Sequence, residues 1–245
     1  MSGDGADRPT SRALTTPDEI VTAALEIIDR AGIGALTMRR LSSELGVFPA
    51  SLYWHVGNRS QLLGLVCERV LSQIELPSQD LPWRDWLVTF GLRTRQVIGS
   101  HPRFAAYFVS NIQTSQSSLD LAEHTMAALR RAGFAGHDLV RAYNAVIGAV
   151  FGWISGEFAA SPEEKNGSAR SAIESLVLDA DRYPNLHDVW PFAANRAYML
   201  RWDSGAESPL EPSFETMLTS LLDGLARSLE IARIAADVRN ANPPR

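Results

Sequence analysis

The chain has 245 residues, 45% of them apolar and 21% charged, enough hydrophobic content for a packed core and too little charge for a disordered chain. A formal net charge of −5 excludes a protein that coats nucleic acid indiscriminately, but leaves room for a specific binder with a local basic patch. The single cysteine, Cys67, permits no internal disulfide and fits a reducing compartment.

Residues 1–16 are polar and contain Gly and Asp, the composition of a flexible arm, without the basic-then-apolar order of a signal peptide. The longest apolar stretch, YNAVIGAVFGWI at 143–154, is too short to cross a bilayer as a helix. No membrane segment is therefore expected, and the cytoplasm is the expected location. Thr16 before Pro17, with Glu19 after it, predicts a capped helix start. Ile20, Ala23, Ala24, Ile27, Ile28 and Ala31 supply one apolar face up to Gly32.

Thr37 predicts the cap of a short second helix, MRRLSSEL, with Met38, Leu41 and Leu45 inward and Gly46 as its stop. A third, ASLYWHV, starts near Pro49 and is broken by Gly57-Asn58. A fourth, about 60–75, carries Leu62, Leu63, Val66, Val70 and Ile74. The Gly-containing connection between the second and third is that of a helix-turn-helix, whose second helix can enter a major groove roughly 12 Å wide. That pattern also fits many small bundles. Arg39, Arg40 and Arg59 face only Glu44 within residues 36–60, so a modest positive face is expected there.

The remainder reads as helical too. Helices are expected at 81–98, from Pro102 onward, at 119–131 closed by Gly133, at about 137–159, and at about 213–235, with loops at 160–168 and 203–212. No stretch supports a sheet, so the expected fold is all-α. The divisions are a flexible arm at 1–16, a helix-turn-helix head with its connecting helix at 17–76, a larger helical body at 77–237 and a flexible end at 238–245. Gly148, Gly152 and Gly156 line one face of the 137–159 helix. Each costs about 0.8–1 kcal/mol of helix propensity against Ala, which close approach by another helix would offset.

Residues 20–66 resemble the DNA-binding domain of the TetR family of bacterial transcriptional repressors, through IVTAALEIIDRAGIGALTMRRLSSELGV and SLYWHVGNRSQLLGLV. LYWHV ahead of an Asn-basic pair is similar to the tetracycline repressor branch. Beyond residue 76 the helix order resembles the family's ligand-binding and dimerisation domain. The resemblance implies an operator-contacting Arg39, Ala50 and Ser51 at the start of the recognition helix facing base edges, and Tyr53, His55 and Arg59 holding the DNA backbone. It places Thr37 as a cap near a phosphate and Arg40 beside it. Phe48 and Pro49 stand where the tetracycline repressor has polar residues, which implies a different operator. Trp54 fits either the head's packing or the groove, and the sequence leaves both open.

The resemblance further implies a homodimer on a palindromic operator of double-stranded DNA, responsive to a small molecule. The glycine-lined helix and the amphipathic helix carrying Leu218, Leu221, Leu222 and Leu225 are the expected dimerisation pair. Trp86, Phe90, His101, Phe104, Tyr107, Phe108, Asn111, Tyr143 and Asn144 mix flat apolar surface with polar handles, the lining of a cavity for an apolar or aromatic effector. His101, before Pro102, resembles the metal-holding His of the tetracycline repressor, but no second ligand aligns and a lone His indicates magnesium poorly. No metal or cofactor is expected. A helical enzyme or a non-DNA-binding adaptor is the alternative. His101, Asp120, Glu123 and His124 are the conceivable catalytic group, yet no HExxH, nucleophile elbow or phosphate loop accompanies them.

Overall fold

The computed structural model describes residues 16–111, 115–158, 178–193 and 211–241. Among them the regular structure is helical throughout: α1 (Pro17–Ala31), a 3-10 turn (Ile33–Ala35), α2 (Met38–Leu45), α3 (Pro49–Val56), α4 (Arg59–Leu71), α5 (Trp83–Gly99), α6 (Pro102–Ser110), α7 (Gln116–Ala132), α8 (Gly136–Phe158), α9 (Pro184–Ala193) and α10 (Glu211–Ala241). Of the expected arm at 1–16 and the expected loop at 203–212, residues 1–15 and 203–210 lie outside the described residues, as does the loop at 160–168, while residues 211 and 212 already belong to α10.

Local signals set the boundaries of the first four helices. Thr16 and Glu19 form a reciprocal capping box on α1, and the Thr37 hydroxyl accepts from the Arg40 amide at 3.1 Å, each satisfying an otherwise orphaned first-turn donor. Gly46 stops α2 in the left-handed conformation (φ 64°) and returns its amide to the carbonyls of Ser42 and Ser43, as a C-terminal glycine does. Gly57 (φ 67°) separates α3 from α4, and Asn58 opens α4 with a capping box to Gln61. A side chain on residue 57 would sit 2.0 Å from the Gln61 Oε1 atom, so this turn requires glycine both for its backbone and for the cap beside it.

Ile20, Ala24, Ile27 and Ile28 of α1 meet Leu41, Leu52, Val56, Leu62, Leu63 and Val66 in the head's core. α4 ends at Leu71 rather than near 75. The Ser72 hydroxyl bonds the Arg69 carbonyl, a local alternative that competes with the helix ladder, and Leu76 before Pro77 is barred from helical backbone. Ile74 is buried all the same.

In the body, α8 packs against α5, α6, α7 and α10. Its inward face is Leu139, Ala142, Val146, Val150 and Ile154. α10 continues through Ala241, past the expected end near 235, and α9 occupies a segment that the apolar pattern left unassigned. Its short run carries Pro191 and has no sustained helical period to read.

Candidate functional site

The outward face of α3 follows from helical geometry. Leu52 and Val56 are buried, so the residue midway between them in sequence points about 200° away from each at 100° per residue. That residue is Trp54, 83% exposed, its ring edge-on to His55 at 4.7 Å between centroids. Trp54 therefore faces solvent, which resolves the alternative that the sequence left open. Pro49 and Ala50 are exposed beside it, Ser51 and His55 are half-buried on its flanks, and Tyr53 is 53% exposed. Phe48, immediately before the helix, is 85% exposed.

The three arginines occupy different positions. Arg39 is exposed on α2. Arg40 donates from Nε to Glu44 at 3.1 Å, and Arg30 holds the other oxygen of the same carboxylate at 2.5 Å. Arg59 donates to the carbonyls of Leu36 and Ile33, both at 2.8 Å. The expected phosphate clamp thus uses two of its donors to fasten the start of α4 to the turn between α1 and α2.

Five of the expected effector residues form two ring clusters, while His101, Asn111, Tyr143 and Asn144 stand outside them, His101 turned to Asp29 of α1. Trp86 and Phe90 are fully buried and stacked at 5.5 Å, with the Trp86 indole donating to the Pro77 carbonyl at 3.1 Å. Phe104 lies against Tyr107 and Phe108, and Phe108 reaches Phe151. Tyr143 is half-buried, and burial pushes its phenol above the ordinary value. Asn111 closes α6 by donating to the Tyr107 carbonyl at 2.9 Å. Asn144 is exposed, and it stands in one row with Gly148 and Gly152 at four-residue spacing, on the face of α8 turned away from the rings. An open groove along α10, lined by Pro212, Ser213, Thr216, Met217 and Ser220, contains none of the expected effector residues and has no aromatic wall.

The dimerisation set divides as well. Leu218 and Leu222 are buried inside the subunit, and Leu218 approaches Gly91 so closely that a Cβ there would lie 2.6 Å from its Cδ2. They belong to the subunit core, because a 31-residue helix buries one face at home. Leu221 and Leu225 are half-buried, and Ile231, Ile234 and Val238 are 58%, 57% and 62% exposed. Nothing lies within 4 Å of a Cβ added at Gly148, Gly152 or Gly156, so no packing within the described subunit requires those glycines.

Polar contacts join head and body, and the sequence offered no signal for any of them. His101 Nδ1 lies 2.8 Å from Asp29 Oδ2 at the end of α1, and the other Asp29 oxygen is buried without a partner among the described residues. Arg103 donates to the Arg30 carbonyl. Ser117 of α7 donates its hydroxyl to Glu68 of α4 at 2.6 Å. Within the body, Arg95 and Glu157 form a buried bidentate pair at 2.6 and 2.8 Å, with the guanidinium over the Phe214 ring. Among the described residues no group of three or more His, Cys, Asp or Glu converges on a metal position, and no helix is long and apolar enough to cross a membrane.

An exposed second helix after a left-handed glycine turn, carried by a larger helical body, defines a helix-turn-helix DNA-binding protein with a regulatory domain. Residues 20–66 match the family model described as bacterial regulatory proteins, tetR family, and residues 76–229 match that of the tetracyclin repressor-like C-terminal domain. The chain belongs to the TetR family. It is a ligand-responsive transcriptional regulator that acts on operator DNA as a homodimer. It is 33% identical over 198 residues to an HTH-type transcriptional regulator of Saccharopolyspora erythraea, covering 80% of this chain and 84% of that one. It is 27% identical to the class A tetracycline repressor from transposon 1721 of Escherichia coli, covering 94% and 96%. Among solved structures, the Streptomyces coelicolor TetR family protein ActR in complex with actinorhodin is 28% identical with a TM-score of 0.65, covering 87% of this chain and 99% of that one.

Proposed function

We propose that two copies of the chain set their α3 helices into successive major grooves of a palindromic operator and release it when an aromatic small molecule occupies the body. The observation that carries this reading is the outward face of α3, where Ala50 and Trp54 project away from the core with Tyr53 and His55 alongside. Residues 48–51 supply the base-reading edge, while Arg39, Thr37, Tyr53 and His55 position the helix on the backbone. Arg40 adds charge that it shares with Glu44, and Arg59 acts mainly by holding the head's turn in place.

The partner subunit covers the Asn144, Gly148 and Gly152 row of α8 together with Leu221, Leu225 and the exposed end of α10. Three glycines with empty space above them make sense where another backbone approaches. The effector site lies among the rings of α5, α6 and α8, and the aromatic class of effector is supported by the actinorhodin bound to the relative. An effector acts only through a difference in affinity between two conformations. The His101–Asp29 and Ser117–Glu68 contacts are where its binding reaches the head. Such a regulator works where the DNA is, in the cytoplasm.

Selection of random duplexes with the full-length protein at modest salt tests the reading. One palindromic sequence should be enriched, and planar aromatic compounds should release it. Recovery of no discrete sequence would overturn the operator reading.

A further inference from the structure

We infer that Phe48 is a specificity residue that reads a pyrimidine C5-methyl group in each operator half-site. The inference rests on the operator reading above. Phe48 is the N-cap residue of α3 and offers no side-chain cap. Its ring is 85% exposed and makes no ring contact among the described residues. Its backbone is extended at φ −71° and ψ 140°, the conformation that the following Pro49 imposes, and its carbonyl accepts from the Ser51 amide at 3.0 Å. The backbone at residue 48 and the direction of its Cβ are therefore fixed ahead of the helix, where a recognition helix meets base edges.

A phenyl group has no donor and no acceptor. In the major groove the base edges differ in hydrogen-bonding atoms and in one apolar feature, the methyl on C5 of thymine. The favourable base-edge contact open to Phe48 is with that methyl. Pro49 and Ala50, exposed next to it, extend the same apolar edge, so the first three positions at the groove carry no hydrogen-bonding side chain. Thymine and 5-methylcytosine present the same methyl group, and the two sources are separated by experiment.

The test uses the full chain and the palindrome obtained by selection. Each thymine is replaced in turn by deoxyuridine, and each cytosine by 5-methylcytosine, and affinity is measured for the wild type and Phe48→Ala. Loss of one buried methyl should weaken the wild type about fourfold per half-site and about fifteenfold when both half-sites are changed. Phe48→Ala should melt at the wild-type temperature and bind thymine and deoxyuridine operators equally at that position, which is the cycle that isolates the contact. A response confined to cytosine methylation identifies 5-methylcytosine as the source and sustains the inference. Wild-type indifference to every methyl, or an unchanged deoxyuridine penalty in Phe48→Ala, overturns it while leaving the operator reading intact. Failure to select any discrete duplex overturns both. If Phe48→Ala folds poorly, Phe48→Ser takes its place, and a deoxyuridine penalty that persists in it overturns the inference.

Discussion

The head and the body use glycine in opposite ways, and the difference separates what each region is built to do. In the head, Gly57 is demanded from within, since its backbone is left-handed and a side chain would displace the Gln61 carboxamide that caps Asn58. In the body, Gly148 and Gly152 have regular helical backbone and open space above them. The head packs on itself and, through α1 and α4, on the body, leaving the outward face of α3 free. The body has an open face, with Ile231, Ile234 and Val238 exposed on α10 in a pattern that marks an interaction surface.

The largest expected effect lies in the body's core. Glu157→Ala removes the bidentate partner of buried Arg95 and should cost about 3–5 kcal/mol, because a buried charge loses its compensation. Denaturant unfolding measures it, and a loss under about 1 kcal/mol would mean that the pair is hydrated or readily replaced.

The same substitution made in both regions sharpens the comparison. Gly57→Ala should destabilise the head by about 2 kcal/mol through backbone strain and a displaced cap. Gly152→Ala should leave the isolated subunit as stable or up to about 1 kcal/mol more stable, while weakening the dimer in sedimentation. A dimer indifferent to residue 152 would move the interface off this row.

The smallest effect is at the junction. Burial alone would raise the Glu68 carboxyl, but hydrogen bonds from Ser115 and Ser117 outweigh it and hold the group below its ordinary value of 4.5. A depressed carboxylate contributes stability that is fully present above its unfolded pKa and is lost as pH falls through the lower folded value. Melting curves of the wild type and Glu68→Gln should therefore differ well above 4.5 and draw together as pH falls below it through the depressed folded value. A constant difference across that range would remove Glu68 ionisation from the account.

Contacts three or four residues apart were legible in the sequence. The caps at Thr16 and Thr37, the stop at Gly46 and the break at Gly57-Asn58 are chemical statements about neighbouring backbone, so residue type and spacing suffice. Core positions such as Ile20, Ile27 and Leu41 followed from periodicity for the same reason. Leu218 and Leu222 show where periodicity stops, since it identifies an apolar stripe but not which side of a long helix meets its own subunit. Asn144 shows the same limit for a polar residue, one position along from half-buried Tyr143 and facing the other way.

The sequence by itself determined an all-helical chain, because helix starts, stops and faces are set by local sterics and hydrogen bonding, and the resemblance of residues 20–66 to the TetR DNA-binding domain supplied its class. Only the tertiary structure turned Trp54 outward, fastened Arg59 to the Leu36 and Ile33 carbonyls, and joined Asp29 to His101, Glu68 to Ser117 and Arg95 to Glu157. Those pairs lie between 23 and 72 residues apart. Nothing in a one-dimensional pattern brings such groups together, and burial and polar pairing at that range are properties of how the helices pack.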